Sequence, residues 1–571
     1  MLSELNPGLI LILGAVLVPL LRGPVRKIYM LLLPVFGVMH LLNTPHGTYG
    51  DYEMMGMVLE TYRLDQLSFV FGLIFHIAAF LGILYALHLK DTASDTMQHV
   101  AALIYAGAGV GAVFAGDLMT LFIFWELTAI ASVFLIWARG TDIAYKTGIR
   151  YLIVQVGSGV LLLAGLVMHK AETGSIAFDH FGVTTMADFT AGTFLIFFAF
   201  GIKCAFPFLH NWLQDAYPQA TPTGTVILSA FTTKLAVYSL ARGYAGLDIL
   251  IPIGATMTAF PVFFAVIEND LRRVLAYSLN NQLGFMVVGV GVGSALALNG
   301  TAAHAFSHIL YKALLFMGMG AVLHRVGTTK ATELGGLYKS MPWTTVFTII
   351  GAMSISAFPF FSGFISKSLI LAALAQEHMW LAWTVLLFAS AGVLEHSGIK
   401  IPYFSFFAHD SGKRPKEAPW NMLAAMGIAA ALCIGIGVWP EYLYAILPHA
   451  MDYEPYTPGH IITQMQLLMF AVLAFVVLVR TGLYPPEIPS VNLDTDWLYR
   501  RLAPSMLKEM GKAVTHLSSG IWGLIREGVD NIRALAARHH GPSGTMGRSI
   551  AVGNMVLWVM IGLAVILLLY L

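Results

Sequence analysis

The sequence predicts an all-α polytopic membrane protein, on three observations. Hydrophobic residues make up 57% of the chain and charged residues only 11%, whereas a soluble domain carries about 25% charged residues. Long uncharged runs recur from near the N-terminus to the last residue, and roughly 20 apolar residues cross about 30 Å of hydrocarbon as a helix. The alternating runs of about ten residues that mark a membrane barrel are missing. A net charge of +1 argues against nucleic acid as a partner. The two cysteines, Cys204 and Cys433, both lie in apolar segments, and no CxxC occurs, so no iron–sulfur or zinc framework is expected. Nothing marks a nucleotide, flavin or haem site, and no cofactor is expected.

The apolar runs divide into about sixteen spans, beginning near residues 8, 27, 66, 98, 118, 149, 192, 222, 249, 274, 302, 342, 379, 421, 463 and 550. The first run, Leu9 to Leu21, is not expected to be a cleaved signal. Its positive charges, Arg22, Arg26 and Lys27, follow it, whereas a signal has them in front. Lys and Arg collect in cytoplasmic loops, which checks the count. Loops after odd-numbered spans hold Arg22, Arg26 and Lys27, then Lys90, then Arg139, Lys146 and Arg150, then Arg272 and Arg273, then Arg325, Lys330 and Lys339, then Lys413, Arg414 and Lys416. Loops after even-numbered spans hold few basic residues (Arg63, Lys170, Arg242) and lean acidic through Asp51, Glu53, Glu60, Asp179, Asp188, Asp452 and Glu454. Both termini are therefore expected outside the cytoplasm.

Residues 485–547 differ in kind. Leu502, Met506, Met510, Val514, Leu517, Ile521, Leu524 and Ile525 recur at helical spacing, with Lys508, Lys512, Arg526 and Arg533 between them. Such a helix runs about 60 Å at 1.5 Å per residue and lies along the membrane surface or along neighbouring helices. The final run from Ile550 then anchors it; a plain linker and anchor is the other reading. The division expected is 1–97 N-terminal helices, 98–243 and 249–408 two core halves, 409–484 further core helices, 485–549 amphipathic helix and 550–571 anchor.

Ionisable residues inside apolar runs carry the functional signal. A Lys or Asp at a helix centre costs roughly 2.5–3.5 kcal/mol on insertion scales and usually marks an ion path. Glu126 lies in LFIFWELTAIASVF with no basic residue for ten positions on either side; its bland reading is a protonated, hydrogen-bonded carboxyl. Lys203 lies in FLIFFAFGIKCAFPFLHNWL, four residues before Pro207. A proline inside a span frees a backbone carbonyl, and broken helices build transporter ion sites; a snorkelling lysine is the alternative. Lys234 is mid-span in TVILSAFTTKLAVYSL. His304, His308 and Lys312 share one helix face at a spacing of four, as a proton ladder would, and histidine titrates near neutral pH; a metal pair or haem ligation are the competing readings. Lys367 follows Pro359 and Gly363 in ISAFPFFSGFISKSLILAAL, and Lys400 lies in HSGIKIPYFSFF beside Pro402, an auxiliary group or a boundary lysine.

At these residues the chain resembles the family shared by antiporter-like subunits of respiratory complex I, the large subunits of Mrp-type cation/proton antiporters, and membrane subunits of energy-converting hydrogenases. The matching stretches are GDLMTLFIFWELTAIAS, GIKCAFPFLHNWLQDAYPQATPTGTVILSA, ENDLRRVLAYSLNNQLGFM, HAFSHILYKALLF and FPFFSGFISK, in order over about residues 100–410. YEPYTPGHIITQMQLL and IPYFSFFAHDSG are similar to the Mrp D-type subunit, whereas the 485–571 tail looks more like the lateral helix and anchor of the distal complex I pump subunit. The resemblance implies two inverted five-helix repeats, 98–243 and 249–408, each with a broken helix. It implies that Glu126 pairs with Lys203, that Lys234 connects toward the centre, and that His304, His308 and Lys312 carry protons to Lys367; a basic residue is common where Arg272 stands. It implies a proton-translocating subunit of a hetero-oligomeric complex in a bacterial or archaeal inner membrane, with other membrane subunits, protons and Na⁺ or K⁺ as partners. A nitrogen-rich axis suits protons, so any Na⁺ or K⁺ path is expected in another subunit. Competing readings are a pump subunit of a redox complex, where the chain is part of a translocase, the proton path of a carbon dioxide uptake complex, and a structural anchor.

Overall fold

Short polar residues start the helices and glycines stop them. Thr92, Asp117, Thr141, Thr190 and Thr457 each accept a backbone N–H of the first turn, which satisfies donors a helix leaves open. Gly174, Gly293, Gly327 and Gly482 close helices in the left-handed conformation. The computed structural model describes residues 4–54, 56–489, 492–548 and 551–571. Its helices are α1 (Gly8–Ala15), α2 (Gly23–Asn43), α3 (Gln66–Ala86), α4 (Ala93–Val113), α5 (Leu118–Trp137), α6 (Asp142–Thr173), α7 (Ala191–Lys203), α8 (Asn211–Ala216), α9 (Pro222–Leu228), α10 (Thr232–Gly243) and α11 (Leu250–Ile267). They continue as α12 (Leu271–Val292), α13 (Ala295–Val326), α14 (Pro342–Ile355), α15 (Ser362–Gln376), α16 (Trp380–Val393), α17 (Lys400–Pro402), α18 (Trp420–Val438), α19 (Pro440–Tyr444), α20 (Pro458–Thr481), α21 (Ala503–His540) and α22 (Val552–Tyr570).

Among the described residues, 12 helical stretches are long and apolar enough to cross a membrane, and shorter apolar helices accompany them. The protein is a polytopic, all-helical membrane protein apart from one hairpin that sequence reading assigned to a loop. β1 (Gly47–Met54) pairs antiparallel with β2 (Met57–Leu64). Leu59, Tyr62 and Leu64 of β2 are buried, so the strands pack one edge of the bundle. The acidic residues between these aromatics masked the period.

The two core halves repeat. α6 and α13 have 32 residues each. Asp117 starts α5 and bridges to Ala177; Asp270 starts α12 and bridges to Lys330. Arg139, just past the end of α5, donates to Pro218 O at 2.8 Å, and Arg272, at the start of α12, donates to the same oxygen at 2.9 Å. Corresponding helices thus run in opposite directions, as an inverted repeat requires. Arg139, Arg272 and Arg273 mark the basic end of the bundle.

Each half is interrupted at the same tetrapeptide, Ala-Phe-Pro-Phe, at 205–208 and at 357–360. Ala205 and Phe208 have φ of 61° and 68°, Ala357 and Phe360 58° and 71°. Such values cost a side-chain-bearing residue about 1–3 kcal/mol each and cluster at functional sites. A third irregularity follows α16, where Leu394–Ile399 and Tyr403–Phe407 are π-helical around α17.

The chain divides into a unit ending at Asn492 and another from Leu493. In the second, a π turn at Leu498–Leu502 leads into α21, of 38 residues, and α22 comes after it. The amphipathic helix therefore starts at 503 and leaves 485–497 outside it, since Pro485, Pro486 and Pro489 withhold backbone donors. Ile550, where the anchor was expected to begin, lies outside the described residues.

Candidate functional site: the buried lysine and histidine axis

The axis starts between α5, α6 and α7. Glu126 is half-buried on α5, and its Oε1 has no hydrogen-bond partner. It lies over Gly159 of α6, where an added Cβ would sit 1.3 Å from that oxygen. Lys203, fully buried, closes α7 at the first break. Its Nζ donates to Trp125 O at 2.5 Å and Thr128 Oγ1 at 2.9 Å and lies 4.4 Å from the Trp125 ring centroid. The ammonium thus sits on α5, one residue from Glu126, close enough for the two charges to interact electrostatically; no hydrogen bond joins them. The break's freed carbonyl, Ile202 O, is taken by Trp212 Nε1 at 3.0 Å, not by Lys203.

Lys234 occupies the middle. It is fully buried on α10, beyond a second break at 229–231, and donates to Ser229 O at 2.6 Å. Its charge is felt by Cys204 at the first break and by His304, His308 and Lys312 on α13. Both ring nitrogens of His304 are engaged: Nδ1 with Ser366 Oγ at 3.0 Å and Nε2 with Tyr311 OH at 3.4 Å. Neither nitrogen of the buried His308 has a partner, and Tyr311 stands edge-on to its ring. Lys312 donates to Ser278 Oγ at 2.8 Å.

The second half ends the axis in two branches. Lys367 on α15 donates to Ile355 O at 2.7 Å, the carbonyl that the second half's break frees, and lies 5.2 Å from the Phe285 ring centroid. From Lys312, hydrogen bonds continue from Ser278 to Ser397 at 2.7 Å and from Ser397 to His396 Nδ1 at 2.9 Å. Lys400, one turn on, is fully buried, donates to Val266 O at 2.6 Å and Glu268 O at 2.7 Å, and pairs with Glu487 at 2.8 Å. Sequence reading missed Ser278, Ser397, His396 and Glu487. His396 had a signal, as a histidine in the same run as Lys400; the serines and the distant Glu487 had none.

Arg272 is placed differently. Its buried guanidinium donates to Pro218 O, Tyr217 O at 3.2 Å, Ala220 O at 3.0 Å, Thr221 O at 3.3 Å and Thr225 Oγ1. It clamps the turn between α8 and α9. At the opposite end, a cavity of about 320 Å³ is lined by Asp65, Arg242, Asp179, His449 and Thr301. Thr301 stands one helical turn before His304.

A family described as "NADH:quinone oxidoreductase/Mrp antiporter, TM" matches residues 115–394, which hold every axis residue but Lys400. The chain is 33% identical to the D-type subunit of the Na⁺/H⁺ antiporter of Alkalihalophilus pseudofirmus over 52% of this chain and 64% of that one. It is 27% identical to hydrogenase-4 component B of Escherichia coli over 70% of this chain and 65% of that one. The chain thus spans just under two thirds of these curated relatives' length. Its fold is similar to a chain in the structure of the Mrp complex from Dietzia sp. DQ12-45-1b, with TM-score 0.77, 24% identity, and coverage of 97% of this chain and 65% of that one. Residues 115–394 are a transmembrane module of the family shared by NADH:quinone oxidoreductases and Mrp antiporters.

Proposed function

We propose that this chain is a proton-translocating, antiporter-like subunit of a multisubunit Na⁺(K⁺)/H⁺ antiporter complex in a prokaryotic inner membrane. One observation carries the reading: buried ionisable groups run without a lipid-facing member from Lys203 through Lys234, His304, His308 and Lys312 to Lys367 and Lys400. Lysines desolvated this far usually mark ion paths. Glu126 sets how tightly Lys203 holds its proton, because a nearby carboxylate favours the charged form. Proton release from Lys203 passes to Lys234, then to the α13 ladder, with water between groups on different helices. Two relatives named as antiporter subunits support the antiporter assignment. The Na⁺ or K⁺ moves elsewhere in the complex, since this axis offers nitrogen where sodium needs oxygen ligands. Other integral-membrane subunits are its partners, and the basic end faces the cytoplasm, which puts both termini on the other side.

The test uses the intact complex in vesicles with an internal pH dye. An imposed Na⁺ or K⁺ gradient is expected to drive protons the opposite way. A second reading, a pump subunit of a redox complex, is favoured by the hydrogenase-4 relative. Proton movement that ignores Na⁺ and K⁺ at fixed pH but tracks an electron donor would replace the first reading with it.

Gly159 offers a sharper probe. An alanine there displaces the Glu126 carboxylate without touching any charge. Gly159→Ala is expected to slow proton flux on the order of tenfold to a hundredfold in a complex that elutes at its usual size. Flux at the unmodified rate would separate Glu126 from transport.

A further inference from the structure

Glu487 lies outside the family-matched module and in a stretch that sequence reading assigned to a surface helix. Gly482, at φ 71°, ends α20, and Pro485, Pro486 and Pro489 keep the next residues extended. The segment is pinned at both ends. Tyr484 is buried, its ring 5.2 Å from that of Phe475, and Asn492 donates to Glu268 Oε2 at 3.1 Å. Between the pins, Ile488 is exposed while the Glu487 carboxylate turns inward, 8% exposed, onto the fully buried Lys400. Glu268, Arg273, Glu395 and Tyr484 are the other ionisable groups around it. The basic end is thus closed by a carboxylate–lysine pair, as the far end of the axis is opened by Glu126 beside Lys203.

We propose that Glu487 is the terminal proton carrier of the axis, so that the proline-rich segment after α20 is part of the transport path. This rests on the function proposed above. The proton leaves the Lys400 ammonium for the Glu487 carboxylate, giving a neutral amine and a neutral carboxylic acid. The acid then loses it to water at the exposed side of the segment, and Lys400 is recharged through His396 and Ser397. Burial raises the Glu487 carboxyl above its ordinary range and the Lys400 ammonium pulls it back, which suits a group that must both take and release a proton.

The test compares Glu487→Gln, Glu487→Asp and Lys203→Ala in the intact complex in vesicles, with flux measured from pH 6 to about pH 9 and thermal melting of each purified complex. Glu487→Gln keeps the shape and loses the titrating site; its flux is expected to fall at least about tenfold with unchanged melting. Glu487→Asp is expected to keep measurable flux with a displaced pH profile. Normal flux in Glu487→Gln while Lys203→Ala is silent overturns this inference and leaves the proposed path standing. Normal flux in both overturns both. Equal loss in Gln and Asp with lowered melting overturns it in favour of a structural pin.

Discussion

Lys203→Ala is expected to abolish proton movement through the complex and leave it assembled. Lys203 Nζ is held by Trp125 O and Thr128 Oγ1, and Trp125 O keeps a donor without it, since Thr128 Oγ1 reaches it at 2.7 Å. The helix therefore loses no obligatory partner, and a buried cation that is costly to insert is gone. What disappears is the group that takes and releases the proton beside Glu126. A positioned acid–base group contributes about 10²–10⁴ in rate, so residual flux should fall below about one hundredth. Lys203→Arg should not rescue it, because a guanidinium does not give up its proton. Dye-reported flux together with size-exclusion of the complex checks both halves of this expectation.

Arg272→Ala is expected to act on folding instead. The guanidinium satisfies four carbonyls and a hydroxyl in the turn joining α8 to α9. Each buried acceptor left without a donor costs about 1–3 kcal/mol, and Arg139 reaches only Pro218 O and Ala220 O. The variant should lose about 3–5 kcal/mol, seen as poor yield and a melting temperature well below that of the unmodified complex. Arg272→Lys, with fewer donors, should recover only part. Full stability with lost transport would place Arg272 in the proton path.

The membrane spans were legible because burial in lipid writes itself as uncharged length, and the alternation of basic and acidic loops tied the count together. The axis was legible for the same reason: Glu126, Lys203, Lys234 and Lys312 stand out against apolar neighbours. Partners were less so. The wiring from Lys312 through Ser278 and Ser397 to His396 joins α12, α13 and the π turn after α16, and serine in an apolar run carries no signal of its own. Proline marked both breaks, yet only Lys367 takes a freed carbonyl; Lys203 reaches across to α5. The β hairpin escaped because alternation with exposed Asp51, Glu53 and Glu60 looks like a loop until the buried Leu59 and Tyr62 are seen.

Lys234 joins the halves, with Cys204 on one side and the α13 histidines on the other. Proton flux through Lys234→Ala complex in vesicles, with both ends of the axis intact, therefore probes whether hydrogen ions cross from one half to the other. Flux near zero in a fully assembled complex is the expected result; flux at the unmodified rate would contradict a continuous route.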